Sequence, residues 1–246
     1  MTAPRAVVVH PDADILARAT AARFLLTLAD AQSVRHPVHV ALSGGTIGTQ
    51  VLAQIGRSDL LGMVDFSGVH LWWIDERFVP TGDADRNEGQ AGEALLARLP
   101  IPEENIHRMP ASNQAKDVEE AAASYARELA SFAAEGELAP RFDLALLGMG
   151  PDGHIASLFP GQGTVSISDR ATIAVHDSPK PPPERISLTL PILNGARQVW
   201  LVVAGGAKAE QVQRAIAGAE PDDIPASAAA GRDTTLWLLD AEAAES

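Results

Sequence analysis

Short apolar runs alternate along the chain with longer segments in which apolar residues recur every three to four positions. The runs AVVVH (6–10), VHVALSG (38–44), VHLWWID (69–75), FDLALLG (142–148), ATIAVH (171–176), QVWLVVAG (198–205) and TTLWLLD (234–240) predict buried strands. The Ala-rich periodic segments 12–32, 46–56, 87–99, 115–135 and 207–218 predict helices. Strand and helix alternate from end to end, so the pattern predicts an α/β fold: a mostly parallel sheet with helices on both faces. Sites in such sheets lie outside the carboxyl ends of the strands.

One stretch interrupts the alternation. HDSPKPPPERI (176–186) carries three consecutive prolines, which favour a stiff, extended connection, either at the rim of a site or as a linker. No internal repeat is present, and a single domain over 1–246 is expected, with room for a smaller lobe on an insertion.

Composition narrows the function classes. A net charge of −13, with no Lys/Arg block, repels nucleic acid and anionic membranes. An anionic small molecule would need a local cluster of cations and helix N-termini. The absence of cysteine excludes thiolate nucleophiles and Cys-based metal sites, and fits a reducing cytoplasm. The first fifteen residues lack the pattern of a signal peptide, and no apolar run approaches the ~18 residues that span a bilayer. The expected protein is cytoplasmic, without nucleic-acid or membrane partners, and a monomer or weak homodimer.

Chemistry gathers at the predicted strand ends. In LALLGMGPDGHIASLFPG (144–161), Gly148 to Gly153 spells G-x-G-x-x-G after an apolar run. A dinucleotide turn must feed a helix of several turns, yet Pro160 and Gly161 follow too soon. The glycines instead permit a tight turn that delivers Asp152 and His154 to the mouth of the sheet. Ser43, Gly44, Gly45 and Thr46 lie between a strand and a helix, where free N–H groups and the helix field favour an anion such as phosphate. Asp75, Glu76 and Arg77 follow the strand 69–75. In VVAGGAKAEQVQ, Lys208 stands in the first turn of a helix, where the macrodipole disfavours a cation unless an anion binds beside it. Arg185, after the prolines, is a further candidate cation.

Taken in order, LSGGT (42–46), DERFVP (75–80), GMGPDGHIASLFPG (148–161), KPPPERISLTLPILNGAR (180–197) and GGAKAE (205–210) resemble the 6-phosphogluconolactonase family, within the sugar-phosphate group that includes glucosamine-6-phosphate deaminase. The resemblance implies the three-layer fold of the deaminase and ribose-5-phosphate isomerase group. It also implies hydrolysis of 6-phospho-D-glucono-1,5-lactone, the second step of the oxidative pentose phosphate pathway. The deaminase relatives carry a glutamate five residues after the histidine, whereas this chain has Phe159, which cannot shuttle a proton. The lactonases commonly continue the first glycine motif with Ser-Thr-Pro; here Thr46, Ile47 and Gly48 follow.

The resemblance and the residue chemistry together give each candidate a role. His154 would activate water and return a proton to the ring oxygen, with Asp152 orienting either His154 or the sugar. Backbone N–H groups of 148–153, with Arg77, would stabilise the oxyanion. The phosphate would lie against Gly44, Gly45, Thr46 and Lys208, with Arg185 as second cation and Asp75 on the substrate. No metal or redox cofactor is called for, and no G-x-S-x-G elbow signals a covalent serine. A sugar-phosphate isomerase or deaminase on the same scaffold, and a catalytically silent sugar-phosphate-binding regulator, are the alternatives.

Overall fold

Two aspartates start the long helices. Asp12 accepts the N–H of Ile15 at 2.8 Å, and Asp117 that of Glu120 at 2.8 Å, capping helices Ala13–Gln32 and Val118–Ser131. The first helix buries Leu16, Thr20, Phe24 and Leu28, one turn apart along a single stripe. The computed structural model describes residues 4–245. In chain order the elements are β1 (Arg5–His10), α1 (Ala13–Gln32), β2 (Val38–Leu42), α2 (Thr46–Ile55), β3 (Val69–Trp73), β4 (Asp75–Arg77), α3 (Asn87–Ala94), β5 (Ile106–His107), α4 (Val118–Ser131), β6 (Leu144–Gly148), β7 (Thr172–Val175), β8 (Arg185–Leu188), α5 (Leu190–Asn194), β9 (Gln198–Val203), α6 (Ala209–Ile216), β10 (Thr234–Asp240) and α7 (Ala241–Ala244).

Seven strands form a parallel sheet in the order β1-β10-β9-β6-β2-β3-β5. The central strands are buried on both faces, which is why they read as nearly continuous apolar runs. From β2 the chain moves outward through β3 to β5, then returns to β6 on the other side of β2 and moves outward through β9 to β10. That reversal leaves a crevice above the carboxyl ends of β2 and β6.

The strand expected at 171–176 is not in this sheet. It is β7 of a second, antiparallel sheet, β4-β8-β7, whose other two strands the apolar pattern did not mark. Asp75–Arg77, expected as a strand-end loop, is itself a strand that changes sheet at Ile74. The helix expected over 87–99 ends at Ala94, because Leu95, Leu96 and Leu99 turn into the core through a 3-10 turn. The helix expected over 115–135 runs only from the Asp117 cap to Ser131. Among the described residues no helix is long and apolar enough to cross a membrane.

Three histidines lie side by side on one face of β2, β3 and β5. His39 pairs in register with His70, and Trp72 with His107. His70 Nδ1 lies 2.8 Å from His107 Nε2, and His107 Nδ1 lies 2.7 Å from Glu128. Trp72 stacks on His107 at 3.7 Å and donates its indole N–H to His39 Nδ1 at 3.1 Å, with Phe132 packed across the group. Burial, then the neighbouring His70 and His107, lower His39 to about 4, and burial and His107 lower His70. The folded state therefore resists protons that the unfolded chain takes up below its ordinary histidine value. The resulting stability is present above about pH 6.5 and is lost as pH falls toward 4, at about 1.4 kcal/mol per pH unit per proton. Thermal midpoints measured at pH 7 and pH 4.5 should fall on acidification, and His39→Gln should shrink the fall. An unchanged pH dependence in that variant would remove His39 as its source.

Candidate functional site

The crevice above β2 and β6 holds a cleft of about 300 Å³. Its walls come from the loops after β2, β6 and β9, from β4, and from the proline segment before β8. Gly44, Gly45, Thr46, Asp75, Arg77, His154, Arg185 and Lys208 all line it. Asp152 does not line it; its carboxylate sits behind His154.

After β6 the backbone folds back on itself. Gly150 N–H donates to His154 O at 2.9 Å, and Gly153 N–H to Gly150 O at 3.0 Å. His154 Nδ1 lies 2.5 Å from Asp152 Oδ1. Burial works to raise the Asp152 carboxyl, but the hydrogen bonds and charge of His154 outweigh it and hold the group at about 2. Asp152 is thus an acceptor at neutral pH, Nδ1 carries the proton, and Nε2 is left as the free basic nitrogen. A Cβ on Gly150 would stand 2.1 Å from His154 Cε1, 2.2 Å from Nδ1 and 2.6 Å from Asp152 Oδ1, so this pair exists only over a glycine. On the other side Phe159 packs against the imidazole, ring centroids 4.6 Å apart. The hydrogen bonds of the turn also correct one expectation: the N–H groups of Gly150 and Gly153 are spent inside it and are not free for an oxyanion.

The turn after β2 is built differently. Gly45 caps α2 with φ +86° and no side chain, and Gly45, Thr46 and Ile47 donate no backbone hydrogen bond among the described residues. Gly44 is pressed against Asn87, whose Oδ1 would lie 1.9 Å from a Cβ there. Opposite stands Lys208, in the 3-10 turn just before α6 rather than in its first turn. Burial and the neighbouring Lys180 lower the Lys208 amine, with Asp240 opposing them. Lys180 itself lines the cleft. An anion between the two lysines would reverse their repulsion.

Strand alternation sorts the DER segment. Asp75 and Arg77 face the cleft, while Glu76 points away and accepts the N–H groups of Asn87 at 2.8 Å and Glu88 at 2.9 Å at the start of α3. Burial pushes Glu76 up to about 7 against the pull of Arg86 and these donors. Asp75 Oδ2 accepts from Ser157 Oγ at 2.7 Å, and its carbonyl from Asn87 Nδ2 at 2.9 Å. Arg77 donates from Nη1 to Asp85 O, and its buried Nε has no partner among the described residues. Arg185 is 4% exposed; it donates from Nε to Pro182 O at 3.2 Å and from Nη2 to Lys180 O at 2.9 Å. The proline segment is therefore a wall of the cleft, held there by Arg185. The guanidinium also lies 5.7 Å from the Phe159 ring centroid, so Arg185 and His154 flank one ring.

Lys180, Asn87 and Ser157 were not singled out from the sequence. Lys180 had a signal, since it opens the KPPPER segment. Asn87 and Ser157 had none, because each acts through a partner distant in the chain.

A family model described as glucosamine-6-phosphate isomerases/6-phosphogluconolactonase matches residues 11–237. The chain is 48% identical over 242 residues to a 6-phosphogluconolactonase of Streptomyces coelicolor, covering 97% of this chain and 93% of the relative. It is 46% identical to that of Mycobacterium tuberculosis, covering 96% of each. Among solved structures, 6-phosphogluconolactonase from Trypanosoma brucei superimposes with a TM-score of 0.85 at 26% identity, over 99% of this chain and 98% of that one. A monomeric glucosamine-6-phosphate deaminase shares the fold at a TM-score of 0.80 and 20% identity, over 99% of each chain. A match of this length, with relatives this similar, shows that the chain belongs to the glucosamine-6-phosphate isomerase/6-phosphogluconolactonase family.

Proposed function

We propose that the protein hydrolyses 6-phospho-D-glucono-1,5-lactone to 6-phospho-D-gluconate. The observation that carries this reading is the meeting, in one cleft, of a carboxylate-oriented histidine with four cations and an open helix N-terminus. Relatives named 6-phosphogluconolactonase at 44–48% identity support it. Phe159 supports it against isomerisation, because the imidazole faces a phenyl ring where a second proton carrier would have to stand.

His154 Nε2 takes a proton from water as the oxygen adds to the lactone carbonyl. Asp152 steadies the imidazolium so formed, acting as a positioning residue through Nδ1. The carbonyl oxygen becomes an oxyanion, opposed by the charges of Arg77 and Arg185, which line the same cleft as His154. Collapse of the tetrahedral intermediate breaks the bond from C1 to the ring oxygen. His154 returns its proton to that oxygen, and the new acid ionises. The phosphate lies at the Gly45–Ile47 turn between Lys208 and Lys180, where free N–H groups and two ammonium groups face one dianion. Every step is a proton transfer or an addition and elimination at carbon, so the reading calls on no metal or redox cofactor. The direct test adds purified protein to freshly made lactone and follows its loss against spontaneous hydrolysis; loss at the spontaneous rate would refute the activity.

Replacing His154 with Ala should lower kcat by at least ~100-fold in a folded protein, the scale of a lost general base. Near-normal turnover would remove the histidine from that role.

Gly150→Ala probes the pair without touching its members. The backbone there tolerates alanine, but the new methyl occupies the space of the imidazole and the Asp152 carboxylate. The expected result is a kcat lowered ~10–100-fold with KM nearly unchanged, as for other groups that orient a reacting one. A rise in KM alone would show that the displaced histidine serves binding rather than chemistry.

Lys208→Ala should cut kcat/KM for the phosphorylated lactone by ~10–100-fold, the worth of a charge-assisted contact, and leave the slower hydrolysis of unphosphorylated glucono-δ-lactone nearly unchanged. Equal losses on both substrates would place Lys208 in chemistry or folding instead.

A further inference from the structure

The opposite end of the parallel sheet carries a second cavity, of about 340 Å³, comparable to the first. It lies at the amino ends of β6, β9 and β10, roughly 17–20 Å from the catalytic cleft by the length of the strands between them. Arg141, Arg197 and Arg232 line it, each just before one of those strands. Adjacent backbone segments fix their spacing: Arg197 N–H donates to Phe142 O at 2.8 Å, and Arg232 N–H to Ala196 O at 2.8 Å.

The arginines differ in what they already do. Arg197 is steadied by Asp143 at 3.5 Å and Asp233 at 3.7 Å. Arg141 and Arg232 are exposed and make no side-chain hydrogen bond or ion pair among the described residues. Neither is neutralised by a carboxylate among the described residues, and both stand with Arg197 around one cavity. Mutual repulsion of such a group is relieved by an anion between its members. The remaining wall is mostly apolar, with Pro140, Pro191 and Ile192 suited to the body of a small molecule and Glu137 as an acceptor.

We propose that this cavity is a second ligand site, which takes a small phosphorylated molecule by its phosphate. Planar guanidinium forks match phosphate oxygens in pairs, and three of them on one cavity favour a multiply charged anion. The site is independent of the catalytic cleft and does not rest on the reaction assigned there.

Inorganic pyrophosphate serves as the probe, titrated calorimetrically into the wild type, Arg141→Ala/Arg232→Ala and a charge-matched control, Arg57→Ala/Arg127→Ala. The arginine pair is exposed and far from the chemistry, so its variant should keep the wild-type thermal midpoint and turnover. Its pyrophosphate affinity should drop at least ~10-fold at one site, while the control changes less than ~2-fold. Amide shifts of the wild type with pyrophosphate should include residues 139–142, 195–197 and 231–233, a readout that needs no variant to fold. Equal affinity in wild type and the arginine variant, an equal loss in the control, or shifts confined to 43–46 and 205–208 would each overturn the proposal.

Discussion

Ile74 belongs to both sheets at once. Its N–H donates to Leu42 O at 2.9 Å in the parallel sheet, and its carbonyl accepts from Leu188 N at 2.8 Å in the antiparallel one. The peptide is fully buried, so neither bond can be exchanged for water without leaving a backbone group unpaired. This one junction swings β4 across the crevice and brings β8 beside it. Asp75, Arg77 and Arg185 reach the carboxyl ends of β2 and β6 for that reason. The parallel sheet alone would supply two glycine turns, the histidine and a lysine, and half a wall.

The electrostatics follow from this closure. A strongly acidic chain holds four cations around one cleft, and burial together with the neighbouring Lys180 weakens a proton's hold on Lys208. Such an arrangement is tolerable because the surrounding core is extensive and the guanidinium of Arg185 is anchored to backbone carbonyls. Phe159 keeps the two functions apart in kind: it gives His154 a dry wall and Arg185 a π face, and offers a proton to neither.

What was legible in the chain was what is local. The central strands of the parallel sheet read clearly because burial on both faces makes them apolar throughout, whereas β5 is two residues long and left no run to read; the turns after β2, β6 and β9 carry glycines at the place where the chain must bend sharply. The second sheet was hidden for the converse reason. DER is charged at every position and becomes a strand only by pairing with RIS, far along the chain. RISL follows a proline run and carries no alternation, since each of its residues is buried for a different cause. The same blindness covers Asn87, whose part depends on Gly44 and Asp75, and the spent N–H groups of Gly150 and Gly153, whose acceptors no motif specifies. The histidine row across β2, β3 and β5 was visible only as separate letters until register aligned them.

The anchoring of the proline segment by Arg185 bears on the entropy of association. A loop that closes only when ligand arrives loses its conformational freedom at that moment, and the loss is deducted from affinity. Here the freedom is already surrendered during folding: prolines restrict the chain beforehand, and two nitrogens of a buried guanidinium hold its carbonyls in place. The cleft wall is thus rigid before any substrate enters. In the proposed hydrolysis, binding energy from the distal phosphate is then free to act on the geometry of the reacting carbonyl instead of being consumed in ordering the protein.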